Sequence, residues 1–291
     1  MQQRTILITS ILAFGLLSAC DKESQAVQVP GQEALHSQAS AAGQTGSHGG
    51  HSGRGGGRQS AGDNFKASFT FANGGATANQ TAEMTIQITD KAGKPVRDFE
   101  VNHEKLLHLI IVNHDQSFFR HIHPEYRGNG KFTVVTSFPA GGKYKVFADF
   151  TPAGGAGTTQ SQWIQVEGKE GEHTPITADP KLVKEADGKE IELSLSSTKA
   201  SDDVTLTYSF RDARTKRGID DLEPYLGAVG HVVILSADAE QYLHVHPQNE
   251  QTTGPLAQFM TAFPRSGTYK IWGQFQHRGE VITVPFVVDV K

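Results

Sequence analysis

The sequence predicts an all-β chain of two tandem immunoglobulin-like (cupredoxin-like) β-sandwich domains, and three observations carry that prediction. From Phe65 onward, short apolar or alternating runs are broken by Gly, Pro, Asn and Asp, as in sandwich strands. No segment keeps a helical period over any length. Finally, the chain repeats itself: Asp98 to Pro124 aligns with Asp221 to Pro247 without a gap, and eight of the 27 positions are identical. Three of those eight are histidines, so the repeat keeps imidazoles while most of their surroundings change.

Taken in order, residues 1–20 read as an export signal. Arg4 is a minimal basic start, Ile6 to Leu17 is an apolar run too short to span a bilayer as an ordinary helix, and Leu17-Ser18-Ala19-Cys20 closes it. That ending resembles a bacterial lipobox, which implies lipidation of Cys20 and attachment of the exported chain to the cell membrane, on its extracellular or periplasmic face. Residues 21–62 are rich in Gly, Ser and His and have no hydrophobic periodicity. They read as a disordered tether. Residues 63–168 form the first sandwich, with strands expected near 65–71, 84–89, 107–112, 118–123, 132–138, 144–150 and 162–167. The polar stretch 169–187, with Pro175 and Pro180, is a linker. Residues 188–291 form the second sandwich, with strands near 190–196, 204–210, 231–235, 242–246, 257–263, 269–275 and 281–290. The repeat extends to Phe138-Pro139 with Gly142 and Tyr144, matched by Phe263-Pro264 with Gly267 and Tyr269.

In each copy a histidine is followed thirteen residues later by His-X-His-Pro: His108 with His121, His123 and Pro124, then His231 with His244, His246 and Pro247. Residues i and i+2 of a strand share a face, so each His-X-His pair projects together. The intervening segment reads as a hairpin, with turns at Asn113–Gln116 and Ser236–Ala239. Its register sets the first histidine opposite either the second or the third. Either way three imidazoles converge, with opposed Cβ atoms ~5 Å apart and a fourth coordination position open. Asp149 is the candidate added ligand in the first unit. Gln274 stands in its place in the second, with His277 three residues on as a substitute. His103, His114 and His173 have no counterparts in the other copy and default to surface residues. Asp98 and Glu100, repeated as Asp221 and Glu223, read as turn chemistry.

Composition narrows the chemistry. Cys20 is the one cysteine, so the domains lack a thiol for disulfides, thiolate zinc, iron–sulfur, blue copper or a cysteine nucleophile. Three scattered methionines cannot build a thioether copper(I) site. A net charge of −4 gives no basic footprint for nucleic acid. Nitrogen and oxygen donors remain, and imidazole suits copper(II) and zinc.

The runs Leu107-His108 to Val112, Phe119 to Glu125 and Phe138 to Phe150, centred on His121, His123 and Asp149, resemble a group of exported bacterial β-sandwich domains, the YtkA-like set. The resemblance covers both folded units. It implies an immunoglobulin-like fold, an envelope location and a link to copper or other metals, but no enzymatic activity. The second unit departs from it at Gln274. The expectation is therefore a membrane-anchored metal-binding lipoprotein, each domain holding copper or zinc through three histidines for buffering, delivery or sensing, with an envelope metal transporter or chaperone as partner. The alternative is a structural or interaction module of the envelope whose histidines brace the hairpins. A zinc hydrolase or hydratase ranks third, because no repeated nucleophile or acid–base pair accompanies the histidines.

Overall fold

The computed structural model describes residues 64–243 and 245–291. The expected signal with Cys20, the tether and His244 lie outside the described residues. For His246 the backbone alone is described.

Ten strands make the first unit: β1 (Phe65–Phe71), β2 (Ala76–Thr77), β3 (Thr81–Asp90), β4 (Phe99–Glu100), β5 (Leu107–Asn113), β6 (Phe119–Ile122), β7 (Glu125–Tyr126), β8 (Lys131–Ser137), β9 (Gly142–Pro152) and β10 (Thr158–Glu167). Nine make the second: β11 (Val183–Ala186), β12 (Lys189–Leu195), β13 (Asp203–Asp212), β14 (His231–Ser236), β15 (Tyr242–Leu243), β16 (His246–Pro247), β17 (Leu256–Ala262), β18 (Gly267–His277) and β19 (Glu280–Val290). Each unit is a two-sheet, immunoglobulin-like sandwich. Sheet β1-β3-β8-β7 faces β2-β10-β9-β5-β6, and sheet β11-β12-β13-β17-β16 faces β15-β14-β18-β19.

Thirteen of the fourteen expected strands are present, with shifts of a few residues at their ends. Four short strands, β2, β4, β7 and β11, escaped the sequence reading because two to four residues carry too little alternation to register. β11 lies inside the stretch read as linker: its polar Val183-Lys184-Glu185-Ala186 pairs along the edge of β12. The expected strand 242–246 is two pieces, with β15 on β14 and β16 on β17 in the opposite sheet.

The Phe-Pro…Gly-X-Tyr repeat has a structural cause. Tyr144 Oη donates to Ala140 O and Tyr269 Oη to Arg265 O, both at 2.9 Å, pinning the turn before β9 and β18. Glu100 and Glu223 also play equivalent turn roles, accepting the N–H groups of Gly154 and Gly279 at 2.8 Å.

β5 differs from an ordinary exposed-face strand because Leu107 to Val112 are all buried. Leu107, Leu109 and Ile111 enter the core of their own sandwich. Alternate residues point to opposite faces of a strand, so Ile110 and Val112 point away from that core. They join Phe147 in a cluster with Val233, Leu235, Ala239 and Trp272 of the second unit. β14 behaves the same way, with Val232 and Ile234 inward and Val233 and Leu235 outward. The two sandwiches thus pack sheet against sheet through equivalent surfaces.

The contacts are reciprocal. Phe119 stacks on Trp272 (centroids 4.7 Å, interplanar 14°), and their repeat equivalents Tyr242 and Phe147 lie 5.5 Å apart. At the hairpin tips, Lys145 Nζ donates to Glu240 Oε1 and Lys270 Nζ to Gln116 O, each at 2.7 Å.

Candidate metal centre between the two sandwiches

The pleat that builds this interface also places the histidines in it. His108 shares its face with Ile110 and Val112, and His231 shares its face with Val233 and Leu235. Across β5 and β6, Ile110 pairs with His121, which puts His121 on the interface face and His123 opposite His108 by continuation of the register. His108 pairs with Asp149 on β9, and His231 with Gln274 on β18. Every described candidate ligand side chain therefore projects between the sandwiches.

Their rings form a single group. His108 lies 5.2 Å from His121, 5.0 Å from His123 and 5.3 Å from His231, the last pair stacked at 26°. His121 lies 4.8 Å from His123 and 5.5 Å from His231. One ring nitrogen from each of His108, His121 and His123 fits within 4.8 Å of the others, a metal-compatible set. The trio expected in the first unit comes together, and His231 of the second unit stands against it; the rest of the second expected set, His244 and the side chain of His246, lies outside the described residues. His103, read as a surface residue, is half-buried and packs on His231 at 4.4 Å. His277 joins Asp221 at 3.0 Å instead of the group.

Hydrogen bonding orients the rings. His108 Nε2 is 3.0 Å from Asn102 O, which can only accept, so Nε2 carries the proton. His121 Nδ1 is 2.6 Å from Gln274 Oε1, and the amide nitrogen of Gln274 reaches Thr283 Oγ1. The inward nitrogens, His108 Nδ1 and His121 Nε2, lie 3.0 Å apart. His123 Nε2 and His231 Nε2 are buried with no hydrogen-bond partner among the described residues. Asp149 accepts from Tyr242 Oη (3.2 Å) and Thr159 Oγ1 (3.1 Å), and with His103, His108, His121 and His231 lines a cavity of about 20 Å3. That is room for one water-sized particle.

Burial, followed by repulsion from neighbouring imidazoles, holds the rings neutral. It lowers His121 to about 4 and His123 to about 3, and pushes His231 far down. An unfolded histidine titrates near 6.5, so between about pH 4 and 6.5 the unfolded chain binds more protons than the native one. Without metal, stability should be fully present above pH 6.5 and should fall as the pH drops toward 4. Urea midpoints at pH 7.0 and 5.0 test this, and equal midpoints would contradict it.

The sequence reading missed Asn102 and Tyr242, and it treated Gln274 as a weaker stand-in for Asp149. A signal for the covered face was available. Leu109-Ile110-Ile111-Val112 and Val232-Val233-Ile234-Leu235 are unbroken apolar runs, the mark of strands buried on both faces.

A family model described as Domain of unknown function (DUF8832) matches residues 60–168 and again 184–291. No curated protein matches the chain. Among solved structures, the chain is similar to the Escherichia coli adhesin FdeC, at 14% identity over 77% of this chain and 64% of that one, with a TM-score of 0.26. It is similar also to invasin, a bacterial integrin-binding protein, at 15% identity over 76% of this chain and 39% of that one, with a TM-score of 0.23. The chain spans less than two thirds of either structure, and at these scores neither bears on its activity.

Proposed function

The chain belongs to the family described as Domain of unknown function (DUF8832), in two copies, and from that premise we propose that the copies together build one metal-binding module for copper(II) or zinc. The observation that carries this reading is the convergence of ring nitrogens from His108, His121 and His123 within 4.8 Å of one another, with His108 Nδ1 and His121 Nε2 3.0 Å apart. Two nitrogens at 2.0–2.1 Å from one zinc ion lie about 3.0–3.4 Å apart. His123 completes the set and His231 closes it from the second sandwich, with Asp149 as the neighbouring carboxylate. Backbone and amide oxygens behind the ligand rings are the usual means of fixing such histidines. The chemistry an ion supplies here is binding. Buffering, delivery or sensing at the cell envelope follows if Cys20 is lipidated, which rests on the sequence alone, as does the YtkA-like resemblance.

The test is histidine 15N NMR on the full chain before and after Zn2+. The expected result is a large shift of His108 Nδ1 and His121 Nε2 with their outer N–H protons retained. Unchanged resonances at saturating Zn2+ would overturn the reading. Gln274→Leu removes the acceptor behind His121 and keeps the ligands, so it should weaken Zn2+ binding about 10–100-fold in a chelator competition. Unaltered affinity would remove Gln274 from that role.

A second reading, an interaction module braced by histidines, is favoured by the His121–Gln274 bond, which spans the two sandwiches. In that case Gln274→Leu lowers stability and the chain takes up no ion at the cluster.

A further inference from the structure

A second group of imidazoles lies at the tip of the β5–β6 hairpin, past the end of β5 opposite to His108. We infer that His114 and His173, backed by the Asp115 carboxylate, form a solvent-facing site for a divalent metal cation of the copper(II) or zinc class.

His173 Nδ1 and His114 Nε2 are 3.2 Å apart, the separation that two imidazole donors adopt on one ion with bonds of about 2.0–2.1 Å at a near-tetrahedral angle. Their rings stack at 5.3 Å and 16°, and His173 Nδ1 is 3.5 Å from Asp115 Oδ2. One donor atom from each of the three residues lies within 4.8 Å of the other two. Both histidines are exposed and Asp115 is buried, so the anion is fixed beneath two donors that meet solvent.

The carboxylate is held in place and kept charged. Its Oδ2 accepts the Thr174 N–H at 2.7 Å, and its Oδ1 accepts the Ser117 N–H at 3.0 Å and the Ser117 hydroxyl at 2.7 Å. Burial alone would raise its pKa, but these hydrogen bonds outweigh that and hold it below the usual carboxylate range. The Thr174 bond also ties the segment between the sandwiches to the hairpin, which brings His173 to His114 across 59 residues of sequence. The two donors are thus positioned before any ion arrives.

The duplicate supplies the comparison. Asp238, the repeat equivalent of Asp115, meets Arg265 Nη2 at 2.6 Å. The residue equivalent to Arg265 in the first unit is Ala140, and the residue equivalent to His114 in the second is Ala237. One copy neutralises this carboxylate with a guanidinium. The other has alanine in place of that arginine and presents two imidazoles beside the carboxylate, leaving the place of the guanidinium charge to a cation.

The test counts Zn2+ ions on the full chain by native mass spectrometry and follows Trp163 fluorescence with Cu2+, because Trp163 and His114 line one surface depression. Three proteins are compared: wild type, His114→Ala/His173→Ala and His121→Ala. The expected result for the double variant is one ion fewer than wild type and loss of Cu2+ quenching of Trp163, with an unchanged melting temperature in chelator. An ion count and quenching equal to wild type would overturn the inference. His121→Ala keeps the outcomes separate. If the interdomain reading alone fails, His121→Ala leaves the count unchanged while the double variant still loses its ion.

Discussion

Replacing His121 with alanine is expected to abolish the Zn2+ binding proposed for the histidine group between the sandwiches, and with it any stabilisation by added Zn2+. His121 provides one of the two facing ring nitrogens, and its Nδ1 is bonded to Gln274 of the other sandwich. Without it, that 3.0 Å nitrogen pair is lost. A ligand that binds only the native state stabilises by about 2.7 kcal/mol at a hundred times its dissociation constant. For a domain pair of this size that raises the melting temperature by several degrees, at about 2–4 °C per kcal/mol. Wild type should melt higher with Zn2+ than in chelator, and His121→Ala should melt at one temperature in both. Because His231 stands in the same group, His231→Ala should weaken binding of the same ion, and the two substitutions should be far from additive. A second interdomain ion that persists in His121→Ala and disappears in His231→Ala would restore one site per domain.

The other large effect is expected from Trp272→Ala. Trp272 is 2% exposed and stacks on Phe119, so it belongs to the layer joining the sandwiches and to neither sandwich's own core. Truncating a buried Trp to Ala costs about 3–5 kcal/mol. Here the loss falls on the contact between the domains. Calorimetry should resolve two transitions in the variant and a single transition in wild type. Zn2+ affinity should fall as well, because Gln274 and Trp272 project side by side from β18 and Gln274 positions His121. A single transition at the wild-type temperature would mean that the interface carries none of the cooperativity.

The strands were legible wherever alternation ran for six or more residues, as in β3 and β13, because burial on one face of a strand writes itself into every second position. The short strands were not, since two residues have no period. The histidine trio of the first unit was legible for the same reason. The pleat and the hairpin register follow from local spacing, and the observed register, with His108 opposite His123 across the turn, is one of the two that spacing allowed.

What spacing could not give was the other side of the sheet. The repeat states that each unit carries the same histidines on the same face, and with the missing thiols this confines any metal chemistry to nitrogen and oxygen donors. Whether those faces look outward to solvent or toward each other depends on how two sandwiches pack, which no local period encodes. Apolar side chains on both faces of β5 and β14 made burial against each other favourable, and that packing moved His231 beside His108 and Gln274 behind His121. The sequence by itself determined which histidines repeat and which face of the hairpin they occupy. Tertiary packing decided that His231 of the second copy meets the trio of the first.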